Sequence, residues 1–333
     1  ITPRLGGIEW FEKPVLTYWI SATGYKFFGV SEFAARFGIA VVASLGVLLL
    51  YFFGKKLRSS RFGYLSASVL ATSGMWPGFS RSVTFDLTLS VALALGLLSF
   101  FLWQRSEDSR AKIGLWCLFS GALGVAVLAK GLVGIVLPLA IIGPYLLITR
   151  KLAMVFQPRL LFSGIVIFVG LAAAWYGPVI YLNGAAFIND FFIAHHFQRY
   201  VSNRFHHPQP FYFFAIVVLA GSFPWLFFLL ANVWDSSKKL WNRFDWASDQ
   251  LSLYLWLWVL MPVLFFSFSG SKLPGYILPV FPALALIIGL ELERWWEAET
   301  KRMNILAFIT GLFLIAVSAA FALLAERGIG MSL

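Results

Sequence analysis

Outside its basic loops, this chain carries few ionisable side chains, and they fall into short stretches whose residue types suit an anionic ligand. The first stretch is Phe11-Glu12-Lys13-Pro14. Proline disfavours helix at the residue before it and suits the first helical position, so a helix is predicted to start at Pro14. Glu12 and Lys13 then stand just ahead of a helix N-terminus, where free N–H groups and the dipole attract anions. The same residues would also suit an interfacial helix with a snorkelling lysine and a solvated carboxylate. Asp86 follows Arg81-Ser82-Val83-Thr84-Phe85 and opens an apolar stretch. There it could cap a helix or, together with Glu12, hold a divalent cation through oxygen ligands.

All four histidines, His195, His196, His206 and His207, lie close together with Asp190, Arg199 and Arg204. On a helix over 191–200, His196 and Arg199 would share a face. A zinc site made of these histidines alone is poorly supported, because adjacent pairs are badly spaced for one metal. Lys130 precedes Gly131, and Lys272 sits in Ser269-Gly270-Ser271-Lys272-Leu273-Pro274. Each could simply snorkel to an interface. Gathered with Lys13 and Arg199 on one surface, they would form the cationic cluster that a phosphate takes.

The elements that must position these groups are transmembrane. The 333 residues are 60% hydrophobic and 12% charged, whereas soluble domains carry about 25% charged residues. An aromatic content of 18% suits a helical bundle with rings at headgroup level. About 20 apolar residues cross a bilayer, and ten such stretches follow one another: 37–53, 62–79, 87–103, 113–129, 132–148, 160–182, 211–234, 251–268, 276–290 and 305–324. The fourth and fifth are separated only by Lys130-Gly131 and are expected as a hairpin or a broken helix. The expected fold is therefore all-α, a polytopic transmembrane bundle. Cys117 is the single cysteine, which excludes an intrachain disulfide.

A net charge of +11 could point to nucleic acid, but its distribution points to membrane topology instead. Alternate short loops carry sixteen Lys and Arg, among them Lys55, Lys56, Arg58, Arg105, Lys151, Lys239 and Arg294. The intervening loops and the C-terminal tail carry six: Arg81, Lys130, Arg199, Arg204, Lys272 and Arg327. The richer set is expected in the cytoplasm. Residues 1–36 then form a first periplasmic loop with interfacial helices, 37–333 a transmembrane domain, and 183–209 a second periplasmic loop. No nucleic-acid partner is expected.

With the candidate residues in place, a family resemblance can be stated. Thr2-Pro3-Arg4-Leu5, Phe11-Glu12-Lys13-Pro14, Tyr18-Trp19 and 28–36 resemble the first periplasmic loop of the ArnT-like, protein-mannosyltransferase-related membrane glycosyltransferases. Asp86, Ala129-Lys130-Gly131, Phe191-Phe192 with His196 and Arg199, Pro210-Phe211-Tyr212, and Ser271-Lys272-Leu273-Pro274 with Leu278-Pro279 continue the resemblance in order. It implies a GT-C fold in the bacterial inner membrane with its active site facing the periplasm. The implied chemistry is transfer of a sugar from a polyprenyl (undecaprenyl) phosphate to lipid A, another envelope glycolipid or a protein. By the same resemblance Lys13 and Arg199 hold the lipid phosphate, Glu12 and Asp86 contribute to a divalent metal site (Zn, Mg or Mn), and His196, Lys130, Lys272 and Tyr18 line the substrate cavity. The family's catalytic Asp is expected upstream of Ile1, together with a first transmembrane helix, and a C-terminal periplasmic part is expected beyond this chain.

Two other classes compete. A transporter or flippase of polyprenyl-linked sugars would place polar residues at mid-span depth, where these stretches have almost none, and would tend to show inverted repeats, which are not seen. A membrane scaffold would leave the polar clustering on one face unexplained. The charge asymmetry makes the topology testable: a reporter fused after Lys56 or Lys239 should be cytoplasmic and one after Gly184 periplasmic. The opposite pattern would overturn the orientation.

Overall fold

A chain this apolar has to satisfy its backbone hydrogen bonds internally, which in hydrocarbon leaves helices. The computed structural model describes residues 1–198, 209–241, 249–298 and 304–316. It opens with a two-strand antiparallel hairpin, Arg4–Leu5 against Ile8–Glu9. Helices follow: α1 (Leu16–Phe28), α2 (Glu32–Leu57), α3 (Ser60–Thr72), α4 (Met75–Ser80), α5 (Phe85–Arg105), α6 (Ser109–Lys130), α7 (Val133–Ile148) and α8 (Pro158–Phe187). A π-helix, Ile188–Gln198, prolongs α8. Then come α9 (Phe213–Gly221), α10 (Leu226–Trp241), α11 (Gln250–Ser267), a 3₁₀ segment (Pro274–Val280), α12 (Phe281–Ala298) and α13 (Asn304–Ala316). By length and composition, six of the described helical runs can cross a membrane: α2, α5, α6, α8 with its extension, α11, and the 3₁₀ segment with α12. The helices Val133–Ile148, Leu226–Ser236 and Asn304–Ala316 are apolar but shorter. This is a multi-pass membrane bundle.

Where the helices differ from the sequence expectation, local chemistry explains it. The helix expected from Pro14 starts two residues later, at Leu16. Phe11 and Val15 are instead buried in a small aromatic cluster with Trp175, Phe187 and Phe191, so packing rather than proline fixes that turn. The stretch 62–79 breaks into α3 and α4 at Ser73-Gly74, and 211–234 breaks into α9 and α10 around Pro224. Residues 183–198, the described part of the expected second periplasmic connection, are helical, with the last eleven wound as a π-helix. The stretches on either side of Lys130-Gly131 form a hairpin: Gly131 ends α6 at φ 82°, a left-handed conformation that costs glycine nothing.

The two most enclosed runs are α5 and the 3₁₀ segment with α12, which pack in the main core, while α8 is mostly exposed at the periphery. At one end of the bundle a polar clasp fastens α12 to its neighbours. Glu293 is 2% exposed and accepts hydrogen bonds from Arg58 Nε and Ser59 Oγ. Glu291, two residues earlier, accepts from Asn232 Nδ2 at 3.1 Å and Arg294 at 3.3 Å.

This clasp is asymmetric, because Arg58 is half exposed and Glu293 is buried. Removing Arg58 strands a buried carboxylate, whereas neutralising Glu293 leaves a cation that water can solvate. Arg58→Ala should therefore cost about 3 kcal/mol and Glu293→Gln only about 1 kcal/mol. Thermal unfolding in detergent measures both, and equal losses would contradict the assignment.

Candidate functional site

The antiparallel pair α5–α6 brings the first turn of one helix beside the last turn of the other. Asp86 and Lys130 meet there as a nearly buried ion pair. Asp86 does not cap its helix: Thr84 holds the N-cap position, and the Asp86 carboxylate turns to Lys130 Nζ. The loop before α12 presses on this pair. A Cβ at Gly275 would lie 2.8 Å from Asp86 Oδ2 and 2.9 Å from the Phe79 ring, so only glycine fits. The next residue, Tyr276, places its ring centroid 4.7 Å from Lys130 Nζ, a cation–π contact.

Lys13 reaches the same place from the N-terminal segment. Its neighbours Phe11 and Val15 anchor in the aromatic cluster on α8, and Trp175 Nε1 and Asn183 Nδ2 bind Ile1 O and Thr2 Oγ1 at 2.8 and 3.1 Å. Thus held, Lys13 donates to Glu12 Oε1 at 3.0 Å and faces a cavity of about 340 Å³. Lys13, Asp86, Lys130, His195 and Ser269 form its polar lining, and Phe85, Leu132, Val133, Val136, Phe192, Phe265, Phe266, Leu273 and Tyr276 complete the wall. One polar corner in an otherwise apolar cavity fits an amphiphile with an anionic head.

The sequence-predicted residues divide accordingly. Lys13, Lys130 and Asp86 come together in the cavity. Lys272 is 8% exposed and donates to Ser269 O at 2.8 Å, so it braces the loop whose Ser269 and Leu273 reach the lining. Tyr18 stands in edge-to-face contact with Phe85, centroids 5.3 Å apart, one residue from Asp86. Burial, and then the Glu12 carboxylate, raise its phenol above the ordinary tyrosine value, which keeps it a proton donor at neutral pH. Arg199 and the side chain of His196 lie outside the described residues.

Sequence reasoning did not single out His195 or Tyr276. A π-helix pairs residues five apart rather than four, and His195 Nε2 accordingly lies 3.6 Å from Asp190 Oδ1 while the ring reaches the cavity. The histidine cluster was the available signal; the π winding was not. Glu12 pairs with Lys13 and Asp86 with Lys130, so a cation bridging the two carboxylates would have to displace both ammonium groups. Among the described residues no group of three or more His, Cys, Asp or Glu is placed to hold a metal ion.

Because Asp86 and Lys130 compensate each other away from water, either single truncation strands a charge. Asp86→Ala and Lys130→Ala should each cost about 3 kcal/mol or more, and the double variant clearly less than their sum. Thermal unfolding of the three variants measures this coupling; additive losses would show that the two groups act independently.

The chain is similar to several known proteins. The family model described as dolichyl-phosphate-mannose-protein mannosyltransferase matches residues 12–175. The undecaprenyl phosphate-alpha-4-amino-4-deoxy-L-arabinose arabinosyl transferase of Erwinia tasmaniensis is 30% identical over 332 residues, covering 99% of this chain and 58% of the relative. Its counterpart in Aeromonas hydrophila is 28% identical over 329 residues, with 98% and 58% covered. Among solved structures, ArnT from Cupriavidus metallidurans bound to undecaprenyl phosphate superposes with a TM-score of 0.79 at 30% identity, covering 93% of this chain and 56% of that one. The apo form of the same protein gives 0.76. The chain thus spans a little under three fifths of the length of the curated relatives it matches. Its fold, its ordered motifs and these matches agree: over nearly its whole length the chain is similar to the ArnT-like, protein-mannosyltransferase-related membrane glycosyltransferases of GT-C architecture.

Proposed function

We propose that the lysine cavity holds the phosphate of a polyprenyl-phosphate-linked sugar, and that the intact protein transfers this sugar to an acceptor at the periplasmic face of the bacterial inner membrane. The observation that carries this reading is the meeting of Lys13 and Lys130, 117 positions apart in the chain, at the polar corner of one apolar-walled cavity. The corner suits a phosphate and the wall suits the first isoprene units. The relatives' names specify undecaprenyl phosphate carrying aminoarabinose, and one solved relative has undecaprenyl phosphate bound. The acceptor would be lipid A, another envelope glycolipid or a protein.

The chemistry follows from charge. As the bond between the anomeric carbon and the phosphate oxygen breaks, negative charge grows on the departing phosphate. Ammonium groups fixed beside that oxygen stabilise the transition state more than the ground state. Asp86 and the Tyr276 ring fix Lys130 in place, so little reorganisation is needed when charge develops. Lys13, from the same lining, serves the same purpose. Arg199, which the family resemblance also assigns to the phosphate, would add a planar fork. Tyr18 lines a separate recess with residues 1–5, Trp10 and Val15 and is assigned no part in holding the phosphate.

Transfer by the intact protein in proteoliposomes, with a polyprenyl-phosphate sugar as donor, tests this reading. Lys13→Ala or Arg199→Ala should cost on the order of 1.5 to 3 kcal/mol of charge-assisted bonding, a fall of roughly tenfold to a hundredfold in kcat/KM with the fold retained. Wild-type rates in both variants would overturn it.

A further inference from the structure

At the end of the bundle opposite the lysine cavity, three arginines from separate elements line one recess of about 420 Å³: Arg58 after α2, Arg105 at the end of α5 and Arg294 in α12. Nothing in the proposed transfer uses them. Arg58 engages Glu293 through Nε and Arg294 engages Glu291 through one terminal nitrogen. A guanidinium carries five N–H donors in a planar fork, so each of these bonds occupies only part of its donor set. Arg105 lies over the Phe101 ring, 5.7 Å from its centroid. The carboxylate of Asp249, also in the wall, accepts from Ser252 N–H and Oγ at 3.1 and 2.7 Å.

A fourth cation approaches the same place. Lys151 donates to Oε1 of Gln250, a wall residue, at 2.8 Å. Burial, and then the charge of Arg105, lower its ammonium below the ordinary lysine value, as expected where like charges crowd. Crowding of this kind is relieved by an anion. Leu57, Leu251 and Leu290 complete the wall, so the recess sets apolar surface beside its cations.

We infer that this recess binds a phosphate group, supplied by the headgroup of an anionic phospholipid in the adjoining leaflet or by free phosphate. Planar guanidinium forks match phosphate oxygens, and basic pockets between transmembrane helices recognise lipid headgroups. The leucines favour the lipid source, because acyl chains would lie against them. Occupancy would tie the ends of α2, α5, α11 and α12 together.

Native mass spectrometry of the delipidated intact protein, titrated with phosphatidylglycerol, phosphatidylcholine or inorganic phosphate, tests the inference in wild type, Arg105→Gln and Lys151→Gln. Phosphatidylglycerol binding should fall by about tenfold in each variant while phosphatidylcholine binding is unchanged. Saturable binding of inorganic phosphate that the variants lose, without any effect on the lipids, would support the site and assign it to free phosphate. Both side chains sit at helix ends or in loops, and Arg105→Lys, which keeps the charge but removes the fork, should give intermediate binding even if one glutamine variant folds poorly. Equal binding of phosphatidylglycerol and phosphate across all the proteins would overturn the inference.

Discussion

An ammonium group enclosed in an apolar bundle needs a counter-charge, and the pairing of Lys130 with Asp86 is the constraint around which this end of the molecule is built. It fixes the register of α5 against α6, since the first turn of one must face the last turn of the other. It requires a glycine at 275, where any side chain would collide with the carboxylate. It also places Tyr276 over the cation, so the loop before α12 becomes a lid on the pair. The cavity forms between this assembly and the segment bearing Lys13.

The opposite end solves a related problem differently. Glu291 and Glu293 are buried without lysines, and they are answered by arginines, an asparagine and a serine drawn from neighbouring elements. A guanidinium can satisfy a carboxylate and still present donors elsewhere, which an ammonium does less readily. Arginine at one end and lysine at the other therefore leave two chemically distinct polar regions, separated by the apolar length of α5 and α12.

Much of this was legible in the residues. Apolar runs of membrane-crossing length located every long helix, because hydrocarbon leaves the backbone no other option. Lys13, Lys130 and Asp86 stood out because isolated charges in such a chain are costly. What could not be read depended on packing between distant segments. The start of α1 moved from Pro14 to Leu16 because Phe11 and Val15 are buried against α8. His195 reaches the cavity because the segment is wound as a π-helix, a winding its residue types do not encode. Asp86 and Glu12, expected to share a partner, each face a lysine, a choice that sequence spacing does not encode.

The cavity wall has a property that bears on traffic. Leu132, just ahead of α7, and Val136 within it line the cavity, and both are more than a third exposed, so this side of the wall is not sealed by neighbouring helices. An amphiphile can then enter and leave by sliding within one leaflet, with its tail never crossing water. Its encounter rate is set by two-dimensional diffusion and by surface density rather than by bulk concentration. Under the proposed function, a spent carrier would stay in the leaflet and compete with the sugar-loaded form, so the ratio of the two forms in the membrane would govern how often the cavity is productively filled.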